Sequence, residues 1–162
     1  FTKLDANGNE LDVSAVSWSC VRDNVTGLVW EVKTDDGGLR DKNKEYEWGG
    51  DTARLNADFG LRSDDWNVLI DAANTENASG LCGYSDWRVP SREELRSIVS
   101  YDRTVHAIDT SFFPNTKDSL YWSSSARAGD SSGAWGVYFD DGGNYNDTRG
   151  DGGHVRLVRA GQ

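Results

Sequence analysis

Residues 82–99, Cys82-Gly-Tyr-Ser-Asp-Trp-Arg-Val-Pro-Ser-Arg-Glu-Glu-Leu-Arg-Ser-Ile-Val, leave the backbone few paths. Pro90 biases Val89 toward extended geometry and ends whatever precedes it. Ser91 is a good N-cap, and Glu94 stands three residues on, where a capping box places its carboxylate. Arg92 and Glu93 fill the first turn, while Leu95, Ile98 and Val99 recur at helical spacing. The pattern predicts a short helix with one apolar face on the core. Trp87 then falls at a strand-to-helix corner, where a large ring anchors two layers.

The rest of the chain supplies a core for that corner. With 162 residues and no Pro/Ser-rich or charged linker, it reads as one domain. Apolar residues make up only 36%, so the 7 Trp, 6 Tyr and 5 Phe must provide much of the buried area. Turns fall to glycine, with Gly 18 against Pro 2. Residues 17–21 and 28–32 are β-rich, and Leu28, Trp30 and Val32 alternate, which predicts one buried face. Ser63 can cap a second helix, with Asp64 and Asp65 complementing its dipole. Trp66, Leu69, Ile70 and Ala73 give that helix an i, i+3, i+4, i+7 stripe that fades near residues 77–80.

From residue 121 onward the chain reads as an antiparallel meander. In Ala134-Trp-Gly-Val-Tyr-Phe-Asp140, Trp135, Val137 and Phe139 share one face, and Gly136, Tyr138 and Asp140 the other. Gly142-Gly143 turns the chain and residues 144–148 return. Residues 150–153 turn again before His154-Val-Arg-Leu-Val-Arg159. Trp30, Trp66, Trp87, Trp122 and Trp135 all fall on apolar phases and are expected to be buried. Tyr138 and Asp140 should then face outward, beside either Asn144, Asn146 and Thr148 or their odd-numbered neighbours. The candidate ligand-binding set is Arg127, Asp130, Tyr138, Asp140, Asn144, Tyr145, Asn146, Arg149 and His154. An aromatic ring among amides, carboxylates and guanidinium groups suits specific polar recognition.

Charge and residue counts exclude other roles. A formal net charge of −10 argues against nucleic acid and anionic membrane surfaces as partners. No apolar run approaches the roughly 20 residues of a membrane span. A chain that begins at Phe1 reads as a mature or excised part of a longer protein. Cys20 and Cys82 are either free buried thiols or a bridge closing a long loop; the bridge is the expected form, and with it an extracytoplasmic compartment. Asp35, Asp36 and Asp41 lie in a polar loop and are the candidates for a bound calcium, although acidic loops usually hold only water. No other cofactor is expected. The only histidines, His106 and His154, stand near no nucleophile or metal signature, so no enzyme activity is expected.

Several motifs in order resemble a known family. They are Trp18-Ser-Cys-Val, Thr26-Gly-Leu-Val-Trp-Glu, Cys82-Gly-Tyr-Ser-Asp-Trp-Arg-Val-Pro-Ser, Tyr121-Trp-Ser-Ser and Val155-Arg-Leu-Val-Arg. Together they are similar to the Lcl-type C-terminal domains of bacterial surface proteins, over nearly the whole chain. The resemblance implies an α+β, C-type-lectin-like fold, with two helices flanking small antiparallel sheets, and a Cys20–Cys82 disulfide. It also implies a secreted or cell-surface adhesin module that meets a glycan or protein ligand on its C-terminal side, or else a structural spacer. This chain departs from the founding adhesin in being acidic where that protein is basic. It lacks the Glu-Pro-Asn and Trp-Asn-Asp signatures of calcium-dependent lectins. The same fold hosts formylglycine-generating oxidases, whose paired cysteines Cys20 and Cys82 do not match. Residues 124–154 also resemble the variable regions of diversity-generating retroelements, whose adenine-directed changes yield Asn, Asp, Ser, Gly and Tyr.

Overall fold

The capping box forms as the sequence requires. In the computed structural model, which describes residues 1–49, 66–103 and 105–161, the Ser91 hydroxyl accepts from the Glu94 amide at 3.2 Å. The Glu94 carboxylate in turn accepts from the Ser91 amide at 2.8 Å. The described elements are β1 (Thr2–Leu4), β2 (Cys20–Arg22), β3 (Val29–Glu31), α1 (Trp66–Thr75), α2 (Arg92–Arg96), β4 (Leu120–Ala126), β5 (Gly133–Tyr138), β6 (Asn144–Thr148) and β7 (Val158–Arg159). The strands make two antiparallel sheets, ordered β1-β2-β3-β7 and β4-β5-β6. The chain is thus a small α+β fold with two helices and two antiparallel sheets among the described residues. The helix start expected at Ser63, Asp64 and Asp65 lies outside those residues.

The corner at Trp87 joins the layers through backbone as well as ring. Asn74 of α1 holds both sides of the Trp87 backbone, accepting from its amide at 2.7 Å and donating to its carbonyl at 3.1 Å. The buried indole donates to the Leu81 carbonyl at 3.0 Å. The turn between them needs Gly80, at φ +85°, because a Cβ there would lie 1.7 Å from the Tyr84 carbonyl oxygen. Cys82, next to this turn, is bonded to Cys20 of β2 across a separation of 62 residues. Closing a loop of that length stabilises the fold by about 4 kcal/mol in the chain-entropy account.

Two apolar clusters fill the interior. One gathers Leu4, Val29, Leu69, Leu81, Trp87, Trp122 and Leu157; the other gathers Val21, Trp30, Leu95, Ile98, Tyr121, Val137 and Val158. Neighbouring residues of β3 and of β4 belong to different clusters, so both strands are covered on both faces. This corrects the one-sided strand expected from Leu28, Trp30 and Val32: Glu31 and Lys33, on the other phase, are buried too.

The last strand also departs from the expected meander. Residues 154–159 are all buried, which demands cover on both sides. A place beside β6 offers no such cover, and β7 pairs with β3 instead. Four of the five tryptophans expected in the core are there. Trp135 is half-buried, because β5 runs past the second cluster at that point and the Arg92 guanidinium lies 5.0 Å from the ring centre.

Two predictions follow from the corner. A peptide map of unreduced protein will show the Cys20 and Cys82 peptides linked, and reduction will lower the melting temperature; two alkylatable thiols in the native protein would contradict the bridge. Trp87→Ala will cost about 3–5 kcal/mol in denaturant unfolding, as truncating a buried large aromatic does. A cost under about 1 kcal/mol would mean that the corner is not an anchor.

Candidate functional site

The β5–β6 hairpin is built on a close approach between β4 and β5. A Cβ at Gly136 would stand 2.4 Å from Leu120 Cδ1 and 2.6 Å from the Tyr121 carbonyl oxygen, so only glycine lets the strands meet. That packing fixes β5, and β6 pairs along its outer side with Gly136 opposite Tyr145 and Trp135 opposite Asn146. Opposed residues share a face. The odd-numbered set therefore lies beside Tyr138, while Asn144, Asn146 and Thr148 share the side of Trp135 and Val137.

On the Tyr138 side, a shallow depression of about 350 Å³ is lined by Tyr138, Asp140, Asp141, Tyr145, Asn146 and Asp147. The Tyr138 and Tyr145 rings meet edge to face, with centroids 5.1 Å apart. Tyr138 also packs on the first apolar cluster and is half-buried, whereas Tyr145 is 46% exposed. The Tyr145 hydroxyl donates to Asp141 Oδ2 at 2.7 Å, and the Gly143 amide donates to Asp141 Oδ1 at 2.7 Å. These bonds, the hydroxyl first, hold the Asp141 carboxyl below the usual range; the carboxylate in turn raises the Tyr145 phenol. The depression thus keeps a fixed negative charge beside two rings. Asp141 and Asp147 were absent from the sequence-derived set. Strand alternation from Tyr145 reaches Asp147, and the turn brings in Asp141.

The other candidates divide. Arg127 Nη1 donates to Asp130 Oδ2 and to Asn146 Oδ1, each at 3.0 Å, at the far end of the hairpin from the Gly142-Gly143 turn. The Ser132 hydroxyl and amide, bonded to Asp130, hold that carboxyl below its ordinary value. Asn144 is exposed at the start of β6. Arg149 does not border the depression. Its guanidinium lies 4.2 Å from the Trp48 ring centre and donates to the Gly133 carbonyl at 3.1 Å. Trp135, Arg92 and Asn146 form a second partly exposed surface that residue patterning did not single out.

His154 is a correction. It is 4% exposed, tilted on Tyr121 with ring centres 5.2 Å apart, and its Nδ1 lies 3.0 Å from the Lys44 carbonyl oxygen. The reason is the buried run described above, which carries the residue inward as the chain leaves the hairpin.

The calcium candidates each serve their own loop. Asp35 pairs with Lys42 at 2.5 Å, Asp36 accepts from Thr34 and the Gly38 amide, and Asp41 accepts from the Gly37 and Asn43 amides. Among the described residues, no group of three or more His, Cys, Asp or Glu is placed to hold a metal ion. No described helix is long and apolar enough to cross a membrane.

Burial pushes the His154 imidazole below its ordinary value of 6.5. The unfolded chain therefore takes up a proton that the folded chain resists. Stability contributed by the neutral ring is complete above about pH 6.5 and drains as pH falls toward the lowered folded value. In melting curves between about pH 7 and 5, His154→Gln will show a shallower loss of stability than the parent. Parallel profiles would contradict the assignment.

The hairpin, the corner and the bridge can be set against known proteins as one ordered unit. A model of the Lcl C-terminal domain matches residues 19–159. Comparison with curated proteins finds no match. The matched span takes in every element from β2 to β7, both cysteines and the whole hairpin, and the chain therefore belongs to the Lcl C-terminal domain family.

Proposed function

We propose that this chain is a non-catalytic, extracellular ligand-binding module of the adhesin type, built on a C-type-lectin-like scaffold. It meets a glycan or protein through the β5–β6 hairpin. One observation carries the reading: β5 is locked between two cores, yet four of the five β6 residues are exposed and the fifth half-buried. Folding makes little use of their side chains. A rigid strand that presents an aromatic ring, amides and carboxylates has the composition of a recognition surface, in which tyrosine gives stiff contact area and small polar residues adapt.

Family membership and the disulfide support a surface setting, since such bridges persist in oxidising compartments. Both cysteines are consumed in the bridge, leaving no thiol for oxidase chemistry. The partition between buried Val137, Phe139 and Val155 and exposed Asn144, Tyr145 and Asn146 also fits diversification by a retroelement, which must spare the framework.

Glycan and protein arrays probed with the domain, with and without calcium, test this directly. The expected result is saturable capture that Tyr145→Ala weakens by at least about tenfold, while the melting point moves little, as for surface substitutions within about 0.5 kcal/mol. Capture that survives this change but is lost on replacing Asp35, Asp36 and Asp41 would place the site on the wrong loop. A spacer module would capture nothing on either array.

A further inference from the structure

The outer edge of β6 carries backbone groups that point away from its sheet. Among the described residues β6 is an end strand, paired with β5 alone. The Tyr138 amide donates to the Gly143 carbonyl at 3.0 Å, and the Arg149 amide to the Ser132 carbonyl at 2.9 Å. These two bonds fix the phase of the ladder, in which hydrogen-bonded and non-hydrogen-bonded pairs alternate. Tyr145 and Asp147 turn their backbone groups toward β5; those of Asn144, Asn146 and Thr148 face outward. Thr148 is satisfied locally, its amide by Asp147 Oδ1 at 2.8 Å and its carbonyl by the Asp151 amide at 2.9 Å. The amides and carbonyls of Asn144 and Asn146 receive no backbone bond from any other described segment. They form a two-residue step of open strand edge, a ready template for another chain.

The side chains around that edge specify what would pair with it. Among the described residues the depression beside it holds Asp140, Asp141 and Asp147 and no basic residue, and two tyrosine rings stand among the carboxylates. The guanidinium that bonds the Asn146 side chain, that of Arg127, already faces the Asp130 carboxylate. An added strand puts alternate side chains on one face, roughly 7 Å apart. On the Tyr145 side those side chains would meet anionic oxygens and ring faces, which favour ammonium and guanidinium groups. On the other side they would meet the Asn144 and Asn146 amides.

We infer that β6 is a docking edge for an extended peptide segment with lysine or arginine at alternate positions, which adds as a fourth strand through Asn144 and Asn146 and seats its cations against Asp140, Asp141, Asp147 and the Tyr138–Tyr145 pair. This rests on the hairpin being the contact face and narrows its partner to one class. Main-chain bonds supply the docking and the acidic, aromatic side supplies the choice of sequence.

The probe is a peptide carrying fluorescein on its N-terminus, fluorescein-Thr-Lys-Val-Lys-Thr-Lys-amide, followed by anisotropy with the disulfide-bonded domain. Three comparators accompany it: the same peptide with glutamate for lysine, the same peptide N-methylated at its edge-facing amides, and the Asp140→Asn/Asp147→Asn domain. Saturable binding of the lysine peptide is expected, weakened at least about tenfold by N-methylation and by the double substitution, and absent for the glutamate peptide. Failure of the lysine peptide to bind overturns the inference. Equal binding of the N-methylated peptide overturns it too, because attraction without strand pairing would then suffice. If the lysine peptide fails while array capture still depends on Tyr145, the contact face stands and only its peptide partner falls. Array capture indifferent to Tyr145 removes the contact face itself.

Discussion

Three charged groups that water does not reach tie the two sheets together. Glu31 of β3 pairs with Lys33 at 3.1 Å, and both side chains are fully buried. Glu31 also accepts from the Leu157 amide at 2.8 Å, while Lys33 donates to the Val155 carbonyl at 3.0 Å. Arg156, from the same C-terminal run, donates to the Glu31 carbonyl and to the Thr116 hydroxyl, each at 2.7 Å. Its guanidinium sits over the rings of Phe113 and Tyr121 of β4. Burial drives the Lys33 ammonium below its usual value even with Glu31 beside it. Such an arrangement adds little net stability, yet removing one member strands the others and costs about 3–5 kcal/mol. Its bonds join Glu31 and Lys33 to residues 155–157 and so tie β3 to the C-terminal run.

That placement determines what the hairpin can do. With residues 154–159 committed to the interior, the C-terminal run cannot return along the outer side of β6, and among the described residues β6 stays an end strand. Buried β4 residues on both faces and the close approach at Gly136 hold β5 in place against β4. Binding side chains on β6 therefore start from a rigid backbone and lose little entropy on contact. The capped corner at Ser91 contributes from below, since Ser125 of β4 accepts from the Arg92 amide at 3.1 Å and Arg92 covers Trp135.

The parts legible in the sequence are those set by local chemistry. The Ser91–Glu94 box, the α1 stripe and the turn at Gly142-Gly143 all depend on residues a few positions apart, and each formed. The order of motifs pointed to the family for the same reason, being written along the chain. Where reading failed, a distant element decided the outcome. Glu31 and Lys33 look like the wet face of a strand until residues 155–157 cover them. His154 looks like a surface group until its neighbours prove to be core on both phases. Trp135 has the right phase but lies beyond the cluster that would bury it. The candidate site was legible as a hairpin and not as a set of residues: Tyr138, Asp140 and Tyr145 converge, Arg149 and His154 do not, and Asp141 and Asp147 join only once register is known.

The central claim is that ligands meet this domain along β6. Amide hydrogen exchange, followed with and without a partner recovered from the arrays, tests it most directly. The outward amides of Asn144 and Asn146 are open in the free chain and should exchange quickly. The account predicts that the partner slows exchange at these two positions most, with residues 34–43 unchanged. Slowing confined to residues 34–43, with Asn144 and Asn146 as fast as before, would contradict it.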